Sequence, residues 1–231
     1  MPKGNCYYHS HPHFWEKDQI FCDGYGRKED ELMEKGMILV IGGARSGKSS
    51  FAQRAAAESG RKVYYLATAE ARDGEMDERI QHHRRARPAD WLTLELEGGT
   101  VLGELPGEAG LVLLDCFTVY LSNLMAKGGL DWLVEEEDLM PEDEVLRRME
   151  DSEREALETV ERLREVAETL IIVSNEVGMG VVPPYRLGRV FRDLAGRLNQ
   201  RLAERADEVH LVVAGLPLCL KGGGGERDGN T

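Results

Sequence analysis

From Met37 onward the chain alternates short apolar runs with polar segments of helical pattern, and few architectures accommodate that alternation. The runs "MILVIGG" (37–43), "KVYYLATA" (62–69), "WLTLELE" (91–97), "GLVLLDC" (110–116), "TLIIVSNE" (169–176) and "EVHLVVAGL" (208–216) read as strands, the last of them as the final strand. Between them lie helix patterns. "KSSFAQRAAAESG" (48–60) is closed by Gly60, "DGEMDERIQHHRRAR" (73–87) has an acidic start, and "FTVYLSNLMAK" (117–127) follows the fourth run. A long charged helix over 142–168 and "RLGRVFRDLAGRLNQRLAERA" (186–206) complete the set. Continuously apolar strands separated by helices predict a mostly parallel central sheet with helices on both faces, an α/β fold.

The first strand runs directly into "GGARSGKSS", in which Gly42, Gly47, Lys48 and Ser49 satisfy the spacing G-x-x-x-x-G-K-[ST]. The glycine-rich turn aims backbone N–H groups at phosphate oxygens, Lys48 adds a point charge, and Ser49 can ligate magnesium at a helix N-terminus. With a strand before it and a helix after it, the loop implies a P-loop NTPase-like domain and a nucleoside triphosphate ligand. Asp115 closes the apolar run "LVLLD", where an acidic residue beside the phosphate loop holds magnesium directly or through water. On these residues alone two functions stay open: phosphoryl transfer, and a nucleotide-binding switch or NTPase without covalent nucleotidyl transfer.

Composition narrows the partners. With 29 Lys+Arg against 42 Asp+Glu, the formal net charge of -13 argues against nucleic acid, so a bound anion must meet a local basic site. No apolar run approaches the ~18 residues of a membrane span. The 231 residues are expected to form one core. Cys6, Cys22, Cys116 and Cys219 follow no disulfide or metal spacing and no secretory leader is visible, which fits the cytoplasm. The expected division is an irregular extension over 1–36, a catalytic domain over 37–221, and a disordered glycine-rich tail over 222–231. In the extension, His9, His11 and His13 with Cys6 and Cys22 are residue types that could bind a soft metal; an irregular segment is the alternative.

On the helix expected over 73–87, Met76, Ile80 and His83 share one face, whereas His82 is turned about 100° away, beside Glu78 and Arg79. A neutral imidazole, with an ordinary pKa of about 6.5, can attack phosphorus and form a covalent intermediate. Arg84, Arg85 and Arg87 are candidates to neutralise phosphate oxygens nearby. The alternatives are a packed histidine and a solvated basic face.

The blocks "GGARSGKSSFAQ", "YLATAEARDGEMDERIQHHRRARPADW", "LLDCFTVYLSNL", "VSNEVGMGVVP" and "GRVFRDLAGRLNQRLAERADEVHLVVAGLPLCLK" resemble, in order, those of the bifunctional adenosylcobinamide kinase and adenosylcobinamide-phosphate guanylyltransferase family of cobalamin biosynthesis. The resemblance runs from Met37 to about Lys221. It implies phosphorylation of adenosylcobinamide by ATP or GTP. Transfer of GMP from GTP, through a guanylyl-histidine, to adenosylcobinamide phosphate then gives adenosylcobinamide-GDP and pyrophosphate. It also implies Mg2+ and a homotrimer. The family's nucleophile falls on His83, with Lys48 as the second catalytic residue. Nucleotide binding would fall to Gly42, Gly43, Ala44, Arg45, Ser46, Gly47, Lys48 and Ser49, to Ala67, Thr68 and Ala69, and to Arg84, Arg85, Ala86 and Arg87. Glu95 and Asp115 would contact nucleotide or metal; a carboxylate such as Glu95 can accept from both N–H donors on the edge of guanine. In "NEVGMGVVPP", Asn175 and Glu176 are either substrate or magnesium contacts or part of a plain connection.

Overall fold

The computed structural model describes residues 36–69, 87–96, 105, 109–130 and 140–222. The strands are β1 (Gly36–Gly42), β2 (Val63–Ala67), β3 (Leu92–Glu95), β4 (Ala109–Asp115), β5 (Ala167–Asn175), β6 (Glu208–Val213) and β7 (Leu216–Lys221). The helices are α1 (Lys48–Glu58), α2 (Phe117–Lys127), α3 (Glu142–Val166) and α4 (Arg186–Arg205). One sheet runs in the order β3-β2-β4-β5-β1-β6-β7. Every neighbouring pair is parallel except β6 with β7. The mostly parallel α/β sheet expected from the alternation is therefore the observed architecture.

The central strands β1, β2, β4 and β5 carry apolar runs because both of their faces are covered. In β1, Met37 and Leu39 join a core that contains residues of α2, α3 and α4, while Ile38 and Val40 join a second core with Ala52, Ala55 and Ala56 of α1. The period of two in side-chain direction converts one unbroken run into contacts on both sides. Helix α3 buries Val145, Met149, Ser152, Ala156, Val160 and Leu163, steps of three and four that keep one stripe on the sheet. Its first turn carries Glu142, Asp143 and Glu144 and its last turn Arg164, each placed favourably toward the helix dipole. Arg201 of α4 reaches the buried carboxylate of Glu153 of α3 at 2.8 Å, and Arg205 reaches Glu161 at 3.3 Å in a half-exposed pair that adds little stability.

Two of the differences from the expected boundaries change how elements connect. Helix α3 stops at Val166, because Ala167 is already extended (φ -96, ψ 135) and passes into β5 with no connecting loop. The run 208–216 is not one terminal strand: β6 ends at Val213, and the chain reverses through Ala214 (φ 52) and Gly215 (φ 83) into β7. Two consecutive left-handed residues form the tight connection whose twist suits an antiparallel pair. Pro217, which has no N–H to donate, is tolerated because β7 is the edge strand.

The expected helix over 73–87, apart from Arg87, the 1–35 part of the extension and the 223–231 part of the tail lie outside the described residues. Among the described residues no helix is long and apolar enough to cross a membrane.

Candidate active site

The carboxyl ends of β1, β2, β4 and β5 form the edge at which ligands bind in open parallel sheets. Gly42 ends β1 at that edge, and the sequence leaves no choice of residue there. A Cβ on Gly42 would stand 2.5 Å from the Val212 carbonyl oxygen and 2.6 Å from Ser46 Oγ. The loop then passes through Arg45 (φ 57) and Gly47 (φ 95) into α1, whose first described bond runs from the Phe51 N–H to the Gly47 carbonyl at 2.9 Å. No side chain caps this helix start and its first turn holds no acidic residue, which leaves N–H donors and the positive end of the dipole for an anion.

Two contacts brace the loop from outside. The Glu176 N–H donates to the Gly42 carbonyl at 2.9 Å, and the Gly215 N–H donates to the Ser46 carbonyl at 2.8 Å. Inside the loop Lys48, a residue only 8 % exposed, donates from its ammonium back to the Gly43 carbonyl at 3.2 Å. Lys48 is thus curled over the cradle in which a phosphate group would sit. Gly43, Ala44 and Arg45 form its exposed rim.

Asp115, at the end of β4, stands directly beside this helix start. Ser49 Oγ donates to its Oδ1 at 3.1 Å, and the Tyr65 hydroxyl donates to its Oδ2 at 2.8 Å. The pair Ser49 and Asp115 offers a hydroxyl and a carboxylate, an oxygen-only set suited to a hard cation whose remaining positions go to phosphates and water. Among the described residues there is no cluster of three His, Cys, Asp or Glu side chains to favour a softer metal. The residues present therefore fit magnesium.

Strand register lines up the other candidates. Ala67 of β2 pairs with Glu95 of β3 on one side and with Asp115 of β4 on the other, so all three share one row at the carboxyl edge. Glu95 and Asp115 are then about 10 Å apart, two strand spacings. Thr68 is buried, and its hydroxyl accepts from the Cys116 N–H at 2.8 Å and donates to the Cys116 carbonyl at 2.9 Å. Asn123 of α2 donates to the Thr68 carbonyl at 2.9 Å. Thr68 therefore fastens the end of β2 to the junction of β4 and α2, while Ala69 is the last described residue before 87. Arg87 lays its guanidinium over the Tyr65 ring, 3.6 Å from the centroid. His83, Arg84, Arg85 and Ala86, together with His82, lie outside the described residues, as do His9, His11 and His13.

Asn175, closing β5, is tied into the scaffold. Its amide donates to Thr118 Oγ1 at 2.7 Å, and its carbonyl accepts from Asn199 of α4 at 3.0 Å. Glu176 turns its carboxylate onto the Gly178 N–H at 2.7 Å. Burial, with a smaller push from Asp115, raises the Cys116 thiol above its ordinary range and disfavours its thiolate form. The same two causes, burial first, raise Tyr65 and keep its hydroxyl protonated as a donor.

The sequence profile of the family described as cobinamide kinase / cobinamide phosphate guanyltransferase matches residues 38–220. The chain belongs to this family. It is 48% identical over 188 residues to the bifunctional adenosylcobalamin biosynthesis protein CobP of Pseudomonas aeruginosa, covering 80% of this chain and 96% of the relative. It is 42% identical over 189 residues to the bifunctional adenosylcobalamin biosynthesis protein CobU of Salmonella typhimurium, covering 80% of this chain and 99% of the relative. CobU of Escherichia coli is 41% identical over 191 residues, with the same coverage of both chains. The cobinamide kinase / guanyltransferase match spans every side chain placed above at the carboxyl edge. Sequence reasoning overlooked Tyr65 and Thr118 there. Tyr65 reads as one more apolar residue of "KVYYLATA", and its only signal is the polar tip of a buried aromatic, which needs a partner.

Proposed function

We propose that this chain catalyses two successive reactions in assembling the nucleotide loop of cobalamin. In the first, the hydroxyl of the aminopropanol arm of adenosylcobinamide attacks the terminal phosphorus of ATP or GTP. The bond from that phosphorus to the bridging oxygen breaks and the nucleoside diphosphate leaves. In the second, a ring nitrogen of neutral His83 attacks the α-phosphorus of GTP, forming a P–N bond and releasing pyrophosphate. A phosphate oxygen of adenosylcobinamide phosphate then attacks the same phosphorus, the P–N bond breaks, and adenosylcobinamide-GDP is formed. The observation that carries the reading is Asp115 set against Ser49 at 3.1 Å beside a phosphate loop over which Lys48 is curled, in a chain of this family.

Each residue has a physical task. The loop from Gly42 to Ser49 grips the triphosphate through backbone N–H groups, and Lys48 turns from the Gly43 carbonyl to a phosphate oxygen. Ser49 and Asp115 hold Mg2+, which neutralises the charge that develops on the phosphate oxygens. Arg84, Arg85 and Arg87 neutralise the α-phosphate near His83. Glu95, in the row with Ala67 and Asp115, reads the base edge of guanine. We further propose a cytoplasmic homotrimer whose catalytic domain spans 37–221. The exposed Leu216, Leu218 and Leu220 of β7 form an apolar row of the kind that subunit contacts cover.

The test uses GTP labelled at two positions. α-Labelled GTP with magnesium should leave acid-labile, base-stable label on the wild type and none on His83→Ala. γ-Labelled GTP should mark adenosylcobinamide with the wild type and with His83→Ala, but not with Lys48→Ala. α-Label retained on His83→Ala would remove His83 from the mechanism, and undiminished γ-transfer by Lys48→Ala would remove Lys48.

A further inference from the structure

Tyr65 is 1 % exposed, and it is the second donor on Asp115. A carboxylate at a strand end is free to turn about two torsions. Here one oxygen accepts from Ser49 at 3.1 Å and the other from Tyr65 at 2.8 Å, which leaves it one orientation. The tyrosine is itself fixed. Arg87 stacks on its ring at 3.6 Å, the Trp91 ring lies 6.3 Å away at an interplanar angle of 27°, and its backbone runs between β3 and β4. A phenylalanine would fill the same space in the second core, so packing alone does not call for the hydroxyl.

We propose that Tyr65 is a positioning residue: its hydroxyl locks the Asp115 carboxylate so that Oδ1 faces Ser49 and a divalent cation carried in with the nucleotide. Without that donor the carboxylate swings, and each cation bound must first order it. The proposal rests on the reading of Ser49 and Asp115 as the protein's cation ligands.

The experiment uses the full chain, Mn2+ as a paramagnetic probe, and the α,β-methylene analogue of GTP, which cannot pass its GMP to His83. Wild type, Tyr65→Phe and Asp115→Asn are titrated with Mn2+ in the presence of the analogue and followed by electron paramagnetic resonance. Analogue binding is measured separately in EDTA. For Tyr65→Phe the Mn2+ dissociation constant should rise about tenfold, the size expected for losing a hydrogen bond to a charged group. Analogue affinity in EDTA should not change, and the Mg2+ concentration for half-maximal turnover should rise by a similar factor at unchanged KM for adenosylcobinamide. Unchanged Mn2+ affinity in Tyr65→Phe, with Asp115→Asn impaired, would overturn the role of Tyr65 alone. Unchanged affinity in both variants would overturn the cation-ligand reading, and this proposal with it. Loss of analogue binding in EDTA by Tyr65→Phe would also overturn it, since the hydroxyl would then be supporting the site as a whole.

Discussion

The phosphate loop and the β6–β7 turn press against each other, and both depend on left-handed backbone, yet they use it for opposite ends. In the loop, Arg45 (φ 57) and Gly47 (φ 95) bend the chain so that N–H groups are left for a ligand. In the turn, Ala214 (φ 52) and Gly215 (φ 83) bend it so that an N–H is spent on the protein, as the Gly215 donor to Ser46 at 2.8 Å. The loop is therefore held from outside as well as by its own bonds. One of its carbonyls is fastened by a hairpin that follows far later in the chain, so the geometry of the nucleotide site depends on the edge of the sheet.

Gly47→Ala tests that dependence most severely. The left-handed backbone at Gly47 costs an alanine about 1–2 kcal/mol. The new Cβ would meet the Gly215 Cα at 3.0 Å, backbone against backbone, and such overpacking adds about 1–3 kcal/mol. The unfolding midpoint should fall accordingly, and GTP should no longer bind at concentrations that saturate the wild type. A variant with wild-type midpoint and wild-type GTP affinity would mean that loop and turn separate freely, which would end the argument for mutual support.

The two turns also differ in how far they can be read from the sequence. The loop announces itself because its chemistry fixes its spacing: Gly42, Gly47, Lys48 and Ser49 must stand where they do to wrap a phosphate, between a strand and a helix. The hairpin carries no such constraint. Ala214 in place of the usual asparagine, with apolar Leu216 after the turn, makes 208–216 read as one continuous strand. The same contrast holds within the site. Ser49 and Asp115 each carry a local signature, and their juxtaposition follows from the fold. Tyr65 with Asp115 and Thr118 with Asn175 are pairs made by strand order across the sheet, and no local pattern in "KVYYLATA" or "FTVYLSNL" marks them. Gly215→Ala separates backbone strain from contact at this junction. Nothing lies within 4 Å of a Cβ added there, so only the left-handed cost of about 1–2 kcal/mol should appear in the unfolding free energy. Since alanine keeps the N–H that holds Ser46, GTP affinity should stay as in the wild type. A loss of affinity larger than the loss of stability would show that the turn transmits strain directly into the loop.

The smallest effect has the opposite sign. Ala214 sits at φ 52, where its Cβ crowds the following carbonyl and only glycine, asparagine or aspartate is at ease. Asn-Gly is the pair favoured by two-residue turns with both central residues left-handed, and Ala214 and Gly215 occupy those two positions between Val213 and Leu216. Ala214→Asn should therefore stabilise the chain by about 0.5–1 kcal/mol in denaturant unfolding while leaving GTP binding untouched, because the change relieves backbone strain without altering the donor on Ser46. If stability fell instead, the hairpin would owe its shape to the packing of β7 rather than to its two turn residues, and the brace on the phosphate loop would have to be traced to the strand.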